Sequence, residues 1–349
     1  MVENTSATMR DVAREAGVSI GTVDRVLHNR GRFSPTTGER VRAAAQRLNF
    51  LPNQAASNLK RAKIYTFVAV LPHPEQDGGF WSQVVAGVNR AIQELAHHYV
   101  RVQFAHYDRF DPESFEQIAA EIDPGASDAA TLGIILAPTL RAASRRLVER
   151  YRSLPVVVLD GELPEADLLC SISQESLEGG LLAAKLLQLM SPGGHFASIV
   201  VGREDYHLLR RRAGFETYFA AHNGATPERI EADSESELLA RIEARYTQAP
   251  PVDGFFVTNA AAHIVARAAR GHKSVPIVGY DLIEENAAQL RSGELQFLIH
   301  QQPEHQGYQA VYALYRHIVL GETIEPQLRI PVDLVTKETL QFHGRQFDS

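Results

Sequence analysis

Polar and aromatic side chains stand just past the ends of several short apolar runs. They are Phe80, Trp81, Asp160, Arg211, Asn259, Asp281 and Gln301. Carboxylates and amides exchange hydrogen bonds with vicinal hydroxyls, a guanidinium offers a planar pair of donors, and an aromatic pair covers the apolar face of a sugar ring. The set therefore predicts a site for a polyhydroxylated small molecule.

Each of these side chains also has a purely structural interpretation. An Asp that follows a strand often caps the next helix, which is the alternative for Asp281. Arg211 lies in a run of three arginines, of which at least one is expected to be solvated, and Phe80 or Trp81 could belong to the core. Four histidines could face the same site, but their spacing predicts no metal site; they are His73, His106, His207 and His300.

The elements that would position this site alternate between strands and helices from Lys63 onward. The predicted strands are 65–71, 102–106, 132–136, 155–159, 196–201, 254–257, 274–278 and 296–299, with a last one ending near Val335. Helical patterns between them include 82–96, 177–189, 209–221 and 306–318. Apolar strands without polar alternation indicate a doubly wound α/β body, which binds ligands beyond the carboxyl ends of its strands.

The first thirty or so residues carry a different pattern. Val12 and Ala16 lie on one face of a short predicted helix, Gly17 permits the tight turn after it, and a second helix from about Ser19 would bury Val23. Two short helices joined by a glycine turn are typical of a helix-turn-helix, whose second helix enters the DNA major groove. An ordinary three-helix bundle is the alternative.

Helix caps and charge support the DNA-binding interpretation. Ser34 at an N-cap and Pro35 at the first helical position predict a third helix to Leu48, and Thr8 with Asp11 gives the first helix a capping box. Residues 1–63 carry eleven Lys and Arg against five Asp and Glu, whereas the remaining chain carries 24 against 37. A basic headpiece on an acidic body is expected if only the headpiece meets phosphate.

The N-terminal block resembles the LacI/GalR family of bacterial transcriptional repressors. The resemblance rests on an ordered set of residues: Thr8, Asp11, Val12, Ala13, Ala16, Gly17, Val18, Ser19, Thr22, Val23, Arg25, Val26, Leu27, Leu48, Asn49, Phe50, Pro52 and Asn53, then Ala56 and Leu59. It implies a helix-turn-helix headpiece over 1–50, a hinge helix or linker over 51–62, and an effector-binding and dimerisation domain over 63–345. That domain would resemble a type I periplasmic binding protein: an α/β fold with two lobes, three crossovers and a ligand in the cleft. Lobe 1 would comprise about 64–162 and 291–322, and lobe 2 about 163–290 and 323–345.

The expected DNA contacts follow from the same resemblance. Ile20, Gly21 and Arg25 would read bases, with Arg25 donating two hydrogen bonds to guanine. The other headpiece contacts would be Thr8, Ser19, Thr22, Ser34 and Thr37, the last four to phosphates, and His28 to a base edge or a phosphate. In the hinge, Asn53 and Ala56 would face DNA, and Leu59 would wedge into the minor groove once the segment becomes helical. A plain flexible linker is the alternative for this segment.

In the body, the resemblance assigns cleft positions residue by residue. Asp160 resembles the hydroxyl-binding aspartate of the first lobe, and Arg211, three residues before Gly214, resembles the inducer-binding arginine. The matches to the remaining cleft positions, in order, are Asn259, Asp281 and Gln301. Two departures remove hydrogen-bond donors: Gly161 stands where ribose-type binding proteins carry Arg, and residues 137–139 (Ala-Pro-Thr) stand where relatives often have Asn-Pro. The ligand's identity is therefore not carried over.

Length and composition narrow the remaining choices. A chain of 349 residues favours two or three domains. One cysteine, Cys170, excludes an intramolecular disulfide and any multi-cysteine zinc site. No signal-peptide core or membrane-length apolar run is found, so a cytoplasmic location is expected. No cofactor, metal or catalytic residue is predicted.

The leading hypothesis is a DNA-binding regulator that acts as a homodimer on a pseudo-palindromic operator. It would be a repressor that a sugar or sugar derivative releases. A corepressor-dependent regulator with a purine-like ligand is the alternative. An enzyme with a DNA-binding headpiece is a further hypothesis, but the sequence has no G-x-S-x-G elbow between a strand and a helix, no P-loop and no paired Cys/His motif to support it. A purely architectural DNA-binding protein is a third hypothesis, which the large acidic α/β body disfavours.

Overall fold

The computed structural model describes residues 8–27, 33–48, 64–125, 130–164, 166–202, 206–222 and 224–343. The chain up to Lys63 and the chain from Ile64 onward are separate compact units. The predicted hinge over 51–62, with Asn53, Ala56 and Leu59, lies outside the described residues, as does His28.

The N-terminal unit contains three helices, α1 (Met9–Ala16), α2 (Ile20–Leu27) and α3 (Pro35–Arg47). Their packing fully buries one valine from each helix; these are Val12, Val23 and Val41. Gly17, between α1 and α2, has a left-handed φ of 63°. Arg40 of α3 donates to the Gly17 carbonyl at 3.4 Å and so ties the third helix to this turn. The predicted helix-turn-helix with a third helix is confirmed.

Both predicted helix caps are present in this unit. The Thr8 hydroxyl accepts a hydrogen bond from the backbone N of Asp11, whose carboxylate accepts one from the backbone N of Thr8. The Ser34 hydroxyl accepts from the backbone N of Thr37 at 3.2 Å, and Pro35 starts α3. Local hydrogen bonds therefore fix both helix starts.

The strands of the second unit are β1 (Tyr65–Pro72), β2 (Val100–Tyr107), β3 (Thr131–Leu136), β4 (Val156–Leu159), β5 (Cys170–Ser173), β6 (Phe196–Val201), β7 (Glu228–Ala232), β8 (Gly254–Val257), β9 (Ile277–Tyr280), β10 (Phe297–His300), β11 (Gln327–Arg329) and β12 (Asp333–Val335). They form two sheets, ordered β11-β5-β4-β3-β1-β2 and β12-β10-β9-β8-β6-β7. The pairs are parallel apart from β10 with β12. The predicted two-lobed α/β architecture is confirmed.

Helices cover both sheets. They are α4 (Gln76–Glu94), α5 (Pro112–Ala120), α6 (Arg141–Arg150), α7 (Ser176–Met190), α8 (Tyr206–His222), α9 (Glu235–Tyr246), α10 (Ala262–Ala268), α11 (Glu284–Ser292) and α12 (Pro303–Ile318), with short 3-10 turns at Ala96–His98 and Leu340–Phe342. Each sheet has a separate hydrophobic cluster on either face. None of the helices in the described ranges is long and apolar enough to cross a bilayer.

The chain crosses between the lobes after β5, after β10 and after β11. The expected lobe boundaries near 162, 290 and 322 therefore have to be moved towards the C-terminus. The reason is strand pairing: β5 pairs with β4 and β11 in lobe 1, and β10 pairs with β9 in lobe 2. Each expected boundary lies before a strand that still belongs to the preceding lobe.

Three strands were missed, and the starts of one further strand and of one helix were predicted incorrectly. The missed strands β5, β7 and β11 are short, and the polar pattern of β7 gives no apolar run. β9 begins at Ile277, later than expected, because Pro276 has no N–H to donate within the sheet. α4 begins at Gln76 instead of Ser82, through a kink in which residues 77–79 have left-handed backbone angles.

Two helix pairs approach each other backbone to backbone at glycines. In lobe 1, a Cβ on Gly87 would overlap the carbonyl of Glu304, so α4 contacts α12 directly. In lobe 2, a Cβ on Gly180 would overlap the carbonyl of Arg211, so α7 contacts α8 in the same way. The position of the Arg211 backbone therefore depends on the absence of a side chain at residue 180.

We expect Gly180→Ala to lower the free energy of unfolding by about 1–3 kcal/mol, because the added methyl group forces the two helices apart. Urea unfolding followed by circular dichroism measures the change. Lys185→Ala, at an exposed position of the same helix, is the matched control and should change stability little. Equal effects of the two substitutions would contradict the close-contact explanation.

Candidate functional site

A cavity of about 360 Å³ lies between the two lobes of the second unit. All seven residues that the sequence predicted for a ligand site line it: Phe80, Trp81, Asp160, Arg211, Asn259, Asp281 and Gln301. They come from helices and strand ends far apart in the chain. The fold thus brings the predicted set together, and ligand contact by each residue remains a prediction.

Lobe 1 contributes an aromatic wall from the start of α4. Phe80 and Trp81 pack edge to face with ring centroids 5.1 Å apart. Trp81 is 1% exposed, and its Nε1 donates to Asp77 at 2.8 Å. Both rings belong to the lobe-1 core and also line the cavity. The core position and the position beside the cavity, which the sequence offered as alternatives, therefore apply at once.

Asp160 directly follows β4 and has a left-handed φ of 63°. Its backbone N donates to Oε1 of Gln306 at 2.9 Å, and Nε2 of Gln306 donates to the carbonyl of Gln301 at 2.9 Å. Gln306 is fully buried. One amide side chain therefore links the carboxyl ends of β4 and β10, one from each sheet, beside the cavity.

Arg211 of α8 is 1% exposed. Its Nη1 donates to the carbonyl of Thr258 at 2.7 Å, and its Nη2 donates to Oε1 of Gln301 at 2.9 Å. The guanidinium lies over the Tyr280 ring, 3.7 Å from its centroid. Gln301 in turn donates through Nε2 to Asp281 at 2.7 Å, so its amide links the buried cation to a buried carboxylate.

Asp281 follows β9 with a left-handed φ of 67°. Asn286 holds this backbone, because its Nδ2 donates to the Asp281 carbonyl at 2.9 Å. Asp281 does not cap α11, whose N-cap residue is Ile283. Burial raises the pKa of Asp281 to about 6, while the charge of Arg211 and the hydrogen bond from Gln301 act in the opposite direction.

Asn259 presents a free acceptor to the cavity. Its Nδ2 donates to the carbonyl of Val201 at 2.8 Å, which fixes the orientation of the amide. Its Oδ1 is buried and accepts no hydrogen bond from any described residue. A hydroxyl donor of a ligand would satisfy this atom.

Sequence reasoning missed several side chains that line the cavity. Asp77 has a left-handed φ of 55° and forms an ion pair with Arg109, while Phe110 is 55% exposed at the rim. His207, one of the four histidines that the sequence suggested could face the site, also lines the cavity; burial lowers its pKa well below the usual value, and the charges of Arg211 and Arg109 act in the same direction. The Asp-Gly-Gly run at 77–79, a few residues after β1, was the available signal for the kink at the start of α4.

Carboxylates outnumber cations around the cavity. The acidic residues that line it are Asp77, Asp160, Asp233, Glu235, Asp281 and Glu285, and the basic ones are Arg109 and Arg211. An excess of negative charge disfavours anionic ligands. No group of His, Cys, Asp and Glu in the described ranges is arranged to hold a metal ion.

In the N-terminal unit, the face of α2 opposite its buried residues is exposed. Ile20 is 44% exposed, and Ser19, Gly21 and Arg25 are exposed as well. Nε of Arg25 donates to the Gly21 carbonyl at 3.1 Å, so its guanidinium folds back along the helix. Thr22, Ser34 and Thr37 lie in local capping hydrogen bonds. These positions leave the proposed base-reading side chains accessible to a partner.

Comparison with known proteins gives matches for both units. Residues 8–53 match the model of bacterial regulatory proteins of the lacI family, and residues 68–323 match that of a periplasmic binding protein domain. The chain is 26% identical over 293 residues to the HTH-type transcriptional repressor PurR of Vibrio campbellii, covering 80% of this chain and 83% of that protein. It is 28% identical over 300 residues to the ribose operon repressor of Bacillus subtilis, with the same coverage.

A solved complex of the transcriptional regulator CelR with cellobiose has a similar fold. The TM-score is 0.61 at 21% identity, and the alignment covers 95% of this chain and 98% of that one. At this identity the likeness concerns the fold.

We expect the affinity of the cleft for a polyhydroxylated ligand to fall as the pH drops through about 6. Hydroxyl donors bind the ionised form of Asp281, and its protonation, with a pKa of about 6, removes that acceptor. The loss should approach tenfold per pH unit below the pKa. Trp81 is the single tryptophan, so its fluorescence can follow binding between pH 5 and 8. Asp281→Asn should bind more weakly and lose the pH dependence; a variant with the wild-type profile would remove Asp281 from the site.

Proposed function

From the chain's membership of the LacI family of bacterial regulatory proteins, we propose that it is a repressor which an uncharged sugar or sugar derivative releases from operator DNA. A periplasmic binding protein domain follows its helix-turn-helix. The observation that carries the proposal is the cavity between the lobes. Asp160 from one lobe and Asp281 from the other line it, together with Arg211. A ligand bound to both lobes would favour one angle between them, which is the requirement for allosteric control.

The chemistry of the cleft supports a neutral carbohydrate. Asp160, Asp281 and Asn259 supply acceptors, Arg211 supplies donors, and Trp81 supplies an apolar face. A sugar ring has hydroxyls at its edge and C–H groups on its faces, so it uses all of these groups at once. The excess of carboxylates disfavours sugar acids and sugar phosphates. The ribose operon repressor among the relatives is consistent with this class.

A corepressor mode is the second candidate. It is favoured by Phe110 at the rim of the cavity, which is 55% exposed: the Arg109 guanidinium lies over one face of this ring at 5.3 Å, and the other face could stack on a planar ligand such as a purine. The two modes differ in sign: an inducer weakens DNA binding, whereas a corepressor strengthens it. Neither mode requires catalysis, and we assign the chain no enzymatic role.

DNA recognition is assigned to α2 of the headpiece. Ile20, Gly21 and Arg25 on its exposed face would contact bases, and hydroxyl side chains at the starts of α2 and α3 would contact phosphates. One such helix reads few base pairs, so strong specificity requires two headpieces on a pseudo-palindromic operator. We therefore propose a homodimer acting in the cytoplasm, where the operator DNA lies.

Arg25→Ala should lower the preference for the cognate operator by about 1–3 kcal/mol, because a bidentate contact to guanine is lost. The operator is first selected from random DNA with the wild-type protein. Binding to selected and scrambled duplexes is then compared at one salt concentration. Arg14→Ala, on α1 with 75% of its side chain exposed, is the control for lost positive charge. Unchanged selectivity in the Arg25 variant would contradict the assignment.

Asp281→Ala and Arg211→Ala should each retain operator binding and lose release by the sugar. Both substitutions remove cleft contacts and leave the headpiece unchanged. Arg210→Ala, a neighbouring and exposed position that does not line the cavity, should respond as the wild type does. The wild-type coupling is expected at about 1–3 kcal/mol and must be reciprocal, so operator DNA should weaken sugar binding by the same factor. A wild-type response in both cleft variants would overturn the proposal.

Sedimentation velocity at micromolar concentration should show a dimer, with or without operator. β2 supports this expectation, because it is an eight-residue edge strand in which Val102 and Phe104 are only half-buried. Long edge strands of this kind pair readily with another chain. A monomer bound to its operator would contradict the dimer.

A further inference from the structure

A second cavity, of about 420 Å³, adjoins the cleft. Thr139, Asp160 and His207 line both cavities, so the two spaces meet at these side chains. The Thr139 hydroxyl is fixed there by a hydrogen bond with the Tyr107 hydroxyl at 2.8 Å. A molecule held in the cleft can therefore extend past Thr139 into the second cavity.

The two cavities differ in chemistry. Apolar residues form much of the second cavity's wall, among them Pro112, Pro138, Leu140, Tyr206 and Leu209. The guanidinium of Arg141 lies over the Tyr206 ring at 5.2 Å, and Leu209 is 41% exposed. An apolar wall left open to water beside a ligand site favours a ligand group that covers it.

We propose that the second cavity binds a planar unsaturated ring joined to the carbohydrate in the cleft, an inference that rests on the proposed function. Nucleosides and aryl glycosides share this chemistry. Tyr206 and Arg141 present planar faces on which such a ring can stack. Two carboxylates, Asp160 and Glu162, and two guanidiniums, Arg141 and Arg146, line this cavity, so its lining carries no excess of either charge and suits an uncharged ring.

The junction between the cavities suits the polar atoms that link a sugar to its ring substituent. His207 is neutral because burial lowers its pKa, so its imidazole offers one donor and one acceptor. Thr139 offers a hydroxyl beside it. These two side chains can contact the glycosidic linkage while the two ends of the ligand occupy opposite cavities.

Matched ligands test the proposal on the full chain by calorimetry. Ribose and glucose are each compared as free sugar, methyl glycoside and phenyl glycoside, with ribonucleosides as a further arm. We expect at least one ring-bearing compound to bind about tenfold more tightly than its methyl counterpart. The phenyl and nucleoside arms then distinguish the two sources of the ring. Equal affinities of methyl and ring-bearing compounds would overturn the proposal.

Two variants locate the effect. Leu209→Asp should abolish the gain in affinity that the ring gives and leave the affinity for the bare sugar unchanged. Leu209 lines the second cavity and does not line the cleft. Leu189→Asp, at a leucine that is 68% exposed on α7, is the matched control and should keep the advantage. Equal losses in both variants would count against the assignment. If bare sugars release the operator but the ring adds nothing, this inference fails and the proposed function stands; if no carbohydrate binds at all, both fail.

Discussion

A buried guanidinium is the constraint on which the ligand-facing side of the body depends. A charge that is 99% removed from solvent destabilises a fold unless its donors are satisfied. Arg211 meets this requirement through the Thr258 carbonyl, the Gln301 amide and the Tyr280 ring. Those three groups stand at the ends of β8, β10 and β9. The cation thus holds three strand ends in register while keeping a charged group beside the cavity between the lobes.

Three residues that line the cleft have unfavourable backbone angles, which neighbouring side chains hold in place. Asp77, Asp160 and Asp281 all adopt left-handed angles at positions that line the cavity. Such angles are unfavourable for residues other than glycine, although Asp tolerates them better than most. In each case a side-chain hydrogen bond or ion pair holds the turn in place, as Asn286 does for Asp281. The unfavourable backbone angles therefore coincide with the candidate site, since all three carboxylates line its cavity.

The sequence predicted much of this arrangement, for identifiable reasons. Headpiece helices were predictable because Thr8, Gly17 and Ser34 act locally, through caps and a turn. The cleft residues Asp160 and Asp281 were predictable because parallel strands bring their carboxyl ends together. The lobe crossovers were not, since they depend on the pairing of short strands such as β5 and β11, which no local pattern specifies. Asp77 and Arg109 were missed because their ion pair joins the kinked start of α4 to the segment after β2, which are distant in the sequence.

The glycine contacts of α4 with α12 and of α7 with α8 determine how this molecule can deform. Helix backbones in direct contact cannot slide past each other without overlap. Each lobe is therefore expected to move as a rigid body, with the three crossovers as the hinge between the lobes. If an effector occupies the cleft as proposed, its effect would be transmitted as a change in the angle between the lobes, since neither lobe would deform internally. A compound that fills the cleft but leaves the angle unchanged would compete with the effector and transmit no signal. Agonists and silent competitors of this protein would therefore differ in the geometry they impose more than in the affinity with which they bind.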